Sequence, residues 1–557
     1  MSDERIGVFV CHCGSNIAGV IDVEALAEYA KGLPGVVYSE HNLYTCSDAG
    51  LASIKKGVRE EGLNRVVVAA CTPRTHGELL KKTCEEAGLN PYLFQFVNIR
   101  EQCAWVHSRD RERANDKARD LLRMGVARVV LLKPKEDIEI QVFPRAVVIG
   151  GGIAGISSAL SLARRGLPVT LVEKERELGG VVKELNKLYP SLEDASSFIS
   201  SKVDELLETD NVEVLTETLV RELKGFMGNY EVLLQRAGSD PRWVKAGVIL
   251  VATGAQALEP EGMYNFDGNR VIHQLQLEKL LRENRFTAQR VVMIQCVGAR
   301  SEERPYCSRI CCMTALKNAL LIKQVNPQSQ VFVLYRDIQT AGSEGEEYYS
   351  RARDSGIAFV KYSPERPPVV EEKKVKVFDQ MLGEHLEIPY DLVVLTTPMV
   401  PRSEAKDQAR LLKVPLDENG FFLEAHIKLQ PVEFSTSGIY LCGCAHWPVH
   451  VSDAVAQAYA AAAKASVPLL AGSVKVEPIV ARVEESLCTG CGLCESLCPY
   501  DAIRVSETLQ GRKASVVDAS CKGCGACGAA CPEQAIVMQH FTDEQLLAEI
   551  KALVKAE

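Results

Sequence analysis

At 557 residues, with 46% hydrophobic and 25% charged side chains, the chain has material for three or four buried cores and is neither disordered nor fibrous. Its net charge of −9, with no basic block, argues against nucleic acid or an anionic membrane as the main partner. No stretch of about 18 apolar residues free of charge occurs, so no membrane span is expected; the alanine-rich Ala454–Gly472 is interrupted by Gln457 and Lys464. Only five apolar residues precede Cys11, too few for a signal peptide, so a cytoplasmic location is expected. There, the 20 cysteines point to metal ligands or redox groups rather than structural disulfides.

Residues 1 to about 140 alternate apolar runs (Ile6–Val10, Val66–Ala70, Tyr92–Val97) with helical patterns (Asp22–Lys31, Ser47–Glu61), the rhythm of an α/β layer domain. A charged helix with poor apolar periodicity, Asp110–Arg123, closes it. Pro134 and Pro144 bracket a connector, after which a βαβ pattern runs to about residue 475. A cysteine-rich module covers 476–540, and Asp543–Ala556 reads as a terminal helix.

The strand Ala146–Ile149 runs into Gly150-x-Gly152-x-x-Gly155 and then a helix, Ile156–Arg165. The glycines allow a tight turn and close backbone approach, and the helix N-terminus offers N–H groups to a pyrophosphate. The next strand, Val169–Val172, ends in Glu173 about 20 residues on, where an acid binds a ribose hydroxyl. Glu177-Leu-Gly-Gly180, the strand ending Ala-Thr253-Gly254, and Gly438-Ile-Tyr-Leu-Cys-Gly443-Cys444 then resemble the two-dinucleotide-binding flavoproteins that include thioredoxin reductase. That resemblance implies FAD, contacted by Gly150, Gly152, Ala154, Gly155, Glu173, Lys174, Gly180, Thr253, Gly254 and Gly443. It also implies a late helix, opened here by Asp453-Ala-Val-Ala-Gln457, that aims its N-terminus at the flavin through Val455 and Ala456. Cys444 stands where those flavoproteins carry Asp, so one FAD contact is expected to be made differently.

Those enzymes also carry a Cys-x-x-Cys redox pair and a second glycine motif for NADPH. Here Val291–Cys296 leads into Val297-Gly-Ala-Arg and Cys307-Ser-Arg-Ile-Cys311-Cys312, so cysteines stand where nicotinamide phosphates would sit and direct use of NAD(P)H is not expected. At the C-terminus, C-x2-C-x2-C-x3-C-P occurs twice, as Cys488, Cys491, Cys494, Cys498 and as Cys521, Cys524, Cys527, Cys531. This is the signature of a bacterial two-cluster ferredoxin, in which the fourth cysteine of each run crosses to the other cluster. The predicted sets are therefore Cys488, Cys491, Cys494, Cys531 and Cys521, Cys524, Cys527, Cys498.

With Gln295-Cys-Val-Gly-Ala-Arg300, Tyr306–Met313, Tyr335-Arg-Asp337 and Glu346-Glu-Tyr-Tyr349, the chain resembles the A-type subunit of heterodisulfide reductase over nearly its whole length. The resemblance implies that Cys296, Cys307, Cys311 and Cys312 hold a 4Fe–4S cluster near FAD and that Lys317 stands near flavin N5 as the catalytic cation. The alternative for Lys317 is a solvated helix residue. Cys11-His-Cys13, Cys46, Cys71 and Cys103 repeat the resemblance. Cys11, Cys46 and Cys71 each follow a predicted strand, which gathers them at one edge of a parallel sheet and suits another cluster, with four ligands among the five candidates. Cys84, inside a helix, is a bystander. The other reading is that these thiols are buried as small apolar groups.

Longer members of the family carry an inserted ferredoxin module where Arg236–Arg242 here is a short turn, so four clusters are expected. The predicted organisation is an α/β iron–sulfur domain (1–140), a thioredoxin-reductase-like FAD domain with two Rossmann-type lobes (141–475), a two-cluster ferredoxin domain (476–540) and a C-terminal helix (541–557). The implied function is a flavin and iron–sulfur electron-transfer subunit that bifurcates or confurcates electrons with ferredoxin. Its implied partners are heterodisulfide reductase B/C-like subunits and an electron-input subunit such as a hydrogenase or formate dehydrogenase, within a complex that contains a homodimer of this chain. The alternatives are a free-standing NAD(P)H-linked flavoenzyme and a non-bifurcating relay subunit.

Overall fold

The computed structural model describes residues 4–236 and 238–554. Residues 140–474 form one unit; residues up to Glu139 pack with those from Lys475 onward into a second, discontinuous unit. The N-terminal segment and the cysteine-rich module, separate in sequence, thus share a unit.

In the discontinuous unit, β1 (Ile6–Cys11), α1 (Val23–Lys31), β2 (Val36–Asn42), α2 (Asp48–Glu60), β3 (Arg65–Ala70), α3 (Pro73–Glu86), β4 (Phe94–Asn98) and α4 (Arg111–Val130) alternate along the chain. The strands form a parallel sheet in the order β2-β1-β3-β4. Parallel strands covered on both faces must be apolar throughout, and β1 and β3 are so from Ile6 to Val10 and Val66 to Ala70. Helix α4 runs seven residues beyond the expected Arg123. The charges conceal a stripe of small and apolar residues, Ala114, Ala118, Leu122, Gly125, Val126 and Val129, that buries against the sheet. Gly125 is required there, since a Cβ would lie 2.4 Å from Val97 Cγ2.

The continuous unit holds two parallel five-stranded sheets. In the first, β5 (Ala146–Ile149) leads through α5 (Ile153–Ala163) to β6 (Val169–Val172), β7 (Val212–Leu215) and β8 (Val248–Val251). In the second, β9 (Val271–His273) and α6 (Gln274–Arg282) precede β10 (Arg290–Ile294), α7 (Cys311–Val325), β11 (Gln330–Tyr335), β12 (Ala358–Lys361) and β13 (Leu392–Leu395). Helix α8 (Ala405–Leu412), β14 (Ile439–Leu441) and α9 (Val451–Ala471) complete the unit. The sheet orders are β14-β8-β5-β6-β7 and β9-β13-β10-β11-β12, two Rossmann-type lobes, each with apolar clusters on both faces. Strands Thr218–Phe226, Asn229–Arg236 and Arg242–Ala246 form an antiparallel sheet, and a short turn joins the last two; Ala237 of that turn lies outside the described residues.

The cysteine-rich module is built from two short hairpin-like pairs, Ala481–Val483 with Ile536–Met538 and Ile503–Thr508 with Gly511–Val516. Helix α10 (Asp543–Val554) then lies along α4. Arg123 Nε donates to Ala552 O at 2.6 Å, Gln545 Nε2 donates to Leu131 O at 3.0 Å, and the Arg128 guanidinium covers the Phe541 ring at 4.2 Å. The predicted helix end at Ala556, like Met1–Asp3, lies outside the described residues. No described helix is long and apolar enough to cross a membrane.

Candidate functional site

A cavity of about 440 Å³ opens in the continuous unit, walled by both lobes. The β5–α5 turn forms one wall with Gly150, Gly152 and Ala154; Glu173, Lys174 and Gly180 continue it, and Thr253 and Gly254 close it. Gly150 has φ +112°, and a Cβ there would lie 2.4 Å from Ala252 O. Gly155 faces away from the cavity but is equally constrained, because its Cβ would lie 1.8 Å from Gly150 O. Gly152 caps α5 without any side-chain bond, so the first amides of the helix remain free for an anion. Helix α5 begins at Ile153, three residues before the predicted start, because Gly155 is accommodated inside its first turn. The Glu173 carboxylate is held in place by Gly151 N at 2.5 Å and Glu175 N at 2.8 Å.

Gly443, with φ +71°, packs against that wall, where its Cβ would lie 2.8 Å from Ala154 Cβ; it donates its N–H to Gln457 Oε1 at 2.9 Å and does not itself line the cavity. Cys444 lines the cavity, its thiol turned to Val449 O at 3.5 Å and pushed up in pKa by burial. The expected contacts Val455 and Ala456 do not line the cavity. Helix α9 starts at Val451, two residues before Asp453, and its cavity-lining positions are Val451 and Ala454. Val455 packs into the neighbouring core and Ala456 is exposed. His450, the residue before α9, also lines the cavity and makes no cap bond, which leaves the positive end of α9 open. Burial lowers its pKa to about 4, so the ring is neutral.

Lys317 is 2% exposed on the cavity wall, which overturns the solvated alternative. Its Nζ donates to Glu278 Oε1 at 2.5 Å and to Lys187 O at 2.6 Å, while Glu278 Oε2 accepts Asn186 N at 2.9 Å. Burial lowers the lysine pKa, and Glu278 opposes that shift. Glu278, itself 0% exposed, escaped the sequence reading. A signal existed, since it shares the buried face of α6 with Gln274, Leu277 and Leu281.

Cys311 belongs to the same wall and to a four-cysteine group. It opens α7 beside Cys312, while Cys296 (φ +60°) and Cys307 come from the β10–α7 loop. Burial pushes Cys311 up to about 12 and Cys312 to about 11, and the negative charge of the neighbouring cysteines pushes both further. Ile310 caps α7 without a side-chain bond, so its positive end faces these sulfurs.

At the N-terminal sheet, Cys11 ends β1, Cys46 follows β2, Cys71 follows β3 and Cys103 follows β4, all at the carboxyl edge. Cys11, Cys13, Cys46 and Cys71 share one electrostatic neighbourhood. Burial raises Cys46 and Cys71, and each is raised further by the charge of Cys11 and Cys13. Thr45 N donates to Cys11 Sγ at 3.4 Å and Arg100 Nη1 to Cys13 Sγ at 3.5 Å. Cys103 is separate, buried with its thiol on Ala114 O at 3.1 Å. Cys84 is buried alone, its pKa raised to about 12 by desolvation.

The C-terminal module arranges its sulfurs around two small hollows. Cys488, Cys491, Cys494 and Cys531 line one; Cys521, Cys524, Cys527 and Cys498 line the other. Each Pro-flanked cysteine accepts a backbone N–H four residues on, Ala502 to Cys498 at 3.2 Å and Ala535 to Cys531 at 3.3 Å.

Among the described residues, no three His, Cys, Asp or Glu side chains stand close enough to hold a single metal ion. A cubane needs wider spacing, because four irons lie between its thiolates. Sulfurs gathered in fours, many of them partly buried and several accepting backbone N–H donors, are the chemistry a cationic iron–sulfur core relieves. Each group therefore fits a cluster. Likewise, a narrow cavity with two open helix N-termini and glycines that admit no Cβ fits a dinucleotide.

Residues 144–299 match the family model described as pyridine nucleotide-disulphide oxidoreductase, and residues 487–535 match the 4Fe–4S dicluster domain. The chain is 38% identical to the A-type subunit of the H(2):CoB-CoM heterodisulfide,ferredoxin reductase of Methanothermobacter thermautotrophicus, covering 100% of this chain and 98% of that protein. That alignment spans 657 positions against 557 residues, so at least 100 positions of the relative have no counterpart here. It is 34% identical to a protein of Archaeoglobus profundus that is named for its likeness to the same heterodisulfide reductase subunit (99% and 98% covered). The corresponding subunit of the ferredoxin/F(420)H(2)-dependent CoB-CoM heterodisulfide reductase of Methanosarcina acetivorans is also 34% identical (98% and 80% covered). Among solved structures, T. acidophilum thioredoxin reductase aligns with TM-score 0.41 at 18% identity, covering 58% of this chain and 98% of that one.

Proposed function

Because the chain belongs to the family of A-type heterodisulfide reductase subunits, we propose that it is the subunit of a heterodisulfide reductase-like complex in which one flavin exchanges electron pairs and divides them between two cluster routes. It is an oxidoreductase, a flavin- and iron–sulfur electron-transfer subunit. When bound, FAD supplies the conversion between two-electron and one-electron chemistry.

The protein's own residues divide the work. The Gly150–Gly155 turn and the open end of α5 take the dinucleotide, and Glu173 fixes the turn. Glu278 holds Lys317 extended on the cavity wall, where its charge is available to the redox ring; the open end of α9 contributes the same sign from the other side. Cys11, Cys13, Cys46 and Cys71 form the N-terminal ligand set, with Cys103 the fifth candidate left out. Cys296, Cys307, Cys311 and Cys312 form the flavin-adjacent set, and the two crossed sets of the C-terminal module complete four clusters, about 16 irons per chain. The C-terminal module exchanges electrons with ferredoxin. The remaining partners are B/C-like subunits and an electron-input subunit, in keeping with the hydrogen-, formate- and F(420)H(2)-linked names of relatives.

The observation that carries this reading is that Cys311 lies both on the cavity wall and within a four-cysteine group, giving electrons a first step out of the flavin. Replacing Cys311 with Ser should remove about four irons while FAD stays bound and remains reducible by dithionite, and partner-subunit reduction should collapse. Retained iron together with retained partner reduction would leave the proposed wire without a first link.

A further inference from the structure

Five cationic side chains line the flavin cavity: Lys174, Lys183, Lys187, Lys317 and Arg402. The four lysines are already matched by carboxylates of the same unit. Lys174 pairs with Glu404, Lys183 with Glu177 at 3.5 Å, Lys187 with Asp194 at 3.4 Å and Lys317 with Glu278 at 2.5 Å. Among the described residues, the Arg402 guanidinium has no such partner, and its Nε is buried without any hydrogen bond. A buried guanidinium N–H left unpaired is costly, and on a cavity wall it is open to a group the chain does not supply.

Its place in the fold narrows what that group is. Arg402 follows the strand Met399–Pro401, which pairs antiparallel with Ala255–Ala257 so that Pro401 faces Ala255. It therefore stands beside Thr253-Gly254 and within two residues of Glu404, the partner of Lys174. Lys174, the partner of Glu404, follows Glu173, so Arg402 stands at the part of the cavity lined by Glu173, Lys174 and Thr253-Gly254. Gln408, one turn along α8, lines the same stretch with its Oε1 also buried and unpaired. Two unsatisfied groups, one a forked cation and one an amide, face the side of the cavity that a dinucleotide's adenosine diphosphate would fill.

We propose that Arg402 is the counter-charge for the diphosphate of FAD and that Gln408 takes a polar edge of the adjoining adenosine. The inference rests on the reading of this cavity as the FAD site. Glycine amides and a helix end bind the diphosphate, and Arg402, just before α8, which packs into the core of the same lobe with Val147, Ile149 and Val251, adds its charge. Each of the lysines is engaged by a carboxylate, so Arg402 is the lining cation left without one and the cation free to meet the diphosphate. An arginine suits the task, since its planar fork engages two phosphate oxygens at once.

The test uses the deflavinated full chain and follows binding of FAD, riboflavin and ADP, the last by competition. Arg402→Met should weaken FAD and ADP roughly 10- to 100-fold and leave riboflavin, which has no phosphate, as in the wild type. Gln408→Leu should weaken adenosine and ADP together. On the wild-type chain, ADP should shield Arg402 from phenylglyoxal, read by mass spectrometry, and adenosine should not; this arm decides the matter should Arg402→Met fail to fold. Unchanged FAD and ADP affinity in a folded Arg402→Met, or equal modification of Arg402 with and without ADP, overturns the proposal. A wild-type chain that binds riboflavin, FAD and ADP not at all overturns instead the reading of the cavity on which it rests.

Discussion

The two ends of the chain gather sulfur by opposite means. In the C-terminal module, three of each four cysteines come from seven consecutive residues, and the fourth arrives from the matching run. In the N-terminal segment, Cys11, Cys46 and Cys71 follow three different strands and meet only because the sheet places those strand ends side by side. The apolar support differs in the same sense. The N-terminal sheet has a deep core that includes Ile6, Phe9, Val67, Val68 and Leu122, whereas the buried core of the module among the described residues is Ala481, Cys494, Ile503, Ala514, Cys527 and Ile536, two of them in the proposed ligand sets. A site assembled by a stable sheet can outlive its cluster. A module whose core contains the ligands themselves depends on the cluster for its fold.

Removing iron with a chelator should expose that difference most strongly. Hydrogen exchange across residues 481–538 should become fast, while Ile6–Cys11 and Arg65–Ala70 keep their protection; equal loss at both ends would abolish the contrast. Next in size is the choice of N-terminal ligands. Cys71→Ser should remove about four of about 16 irons, and Cys103→Ser none, because the Cys103 thiol is committed to Ala114 O. Iron analysis of the two variants side by side reverses the assignment if Cys103→Ser is the one that loses metal. A smaller effect follows from Gly490, with φ +70° and a would-be Cβ 2.3 Å from Arg512 O. Gly490→Ala should destabilise the module by about 1–3 kcal/mol in denaturant titration, with the N-terminal transition unmoved. The mildest change is Asp22→Ala, which removes the cap that Ala25 N makes to Asp22 Oδ1 at 2.9 Å. It should cost the N-terminal transition about 1 kcal/mol and no iron.

The same contrast explains what could be read in advance. The crossed grouping of the module's cysteines around two hollows was legible because the whole instruction lies in a short spacing, and the β5–α5 turn because its glycines are demanded by local geometry. Which four N-terminal cysteines group together was not legible, since it depends on which way Cys103 turns after β4, in a turn of π-helical form. The Lys317–Glu278 pair joins residues on two helices, and nothing local to either announces the other. The full length of α4 was hidden because alanine and glycine, not large apolar residues, make much of its buried stripe. On α9 the cavity-lining positions, Val451 and Ala454, precede Val455 and Ala456, because the end of the helix that meets the cavity begins at Val451.

The seating of α10 on α4 has a consequence for biosynthesis. The two halves of the discontinuous unit are separated by the whole of residues 140–474, so the α4 surface that receives Ala552, His540 and Phe541 is finished long before its cover exists. At ordinary translation speeds the wait is roughly 20 to 85 s. Throughout that interval the nascent N-terminal sheet presents Arg123, Arg128 and the apolar flank of α4 to whatever else is near, while the flavin unit folds behind it. Completion of the unit that holds the N-terminal sheet is thus timed by the emergence of α10.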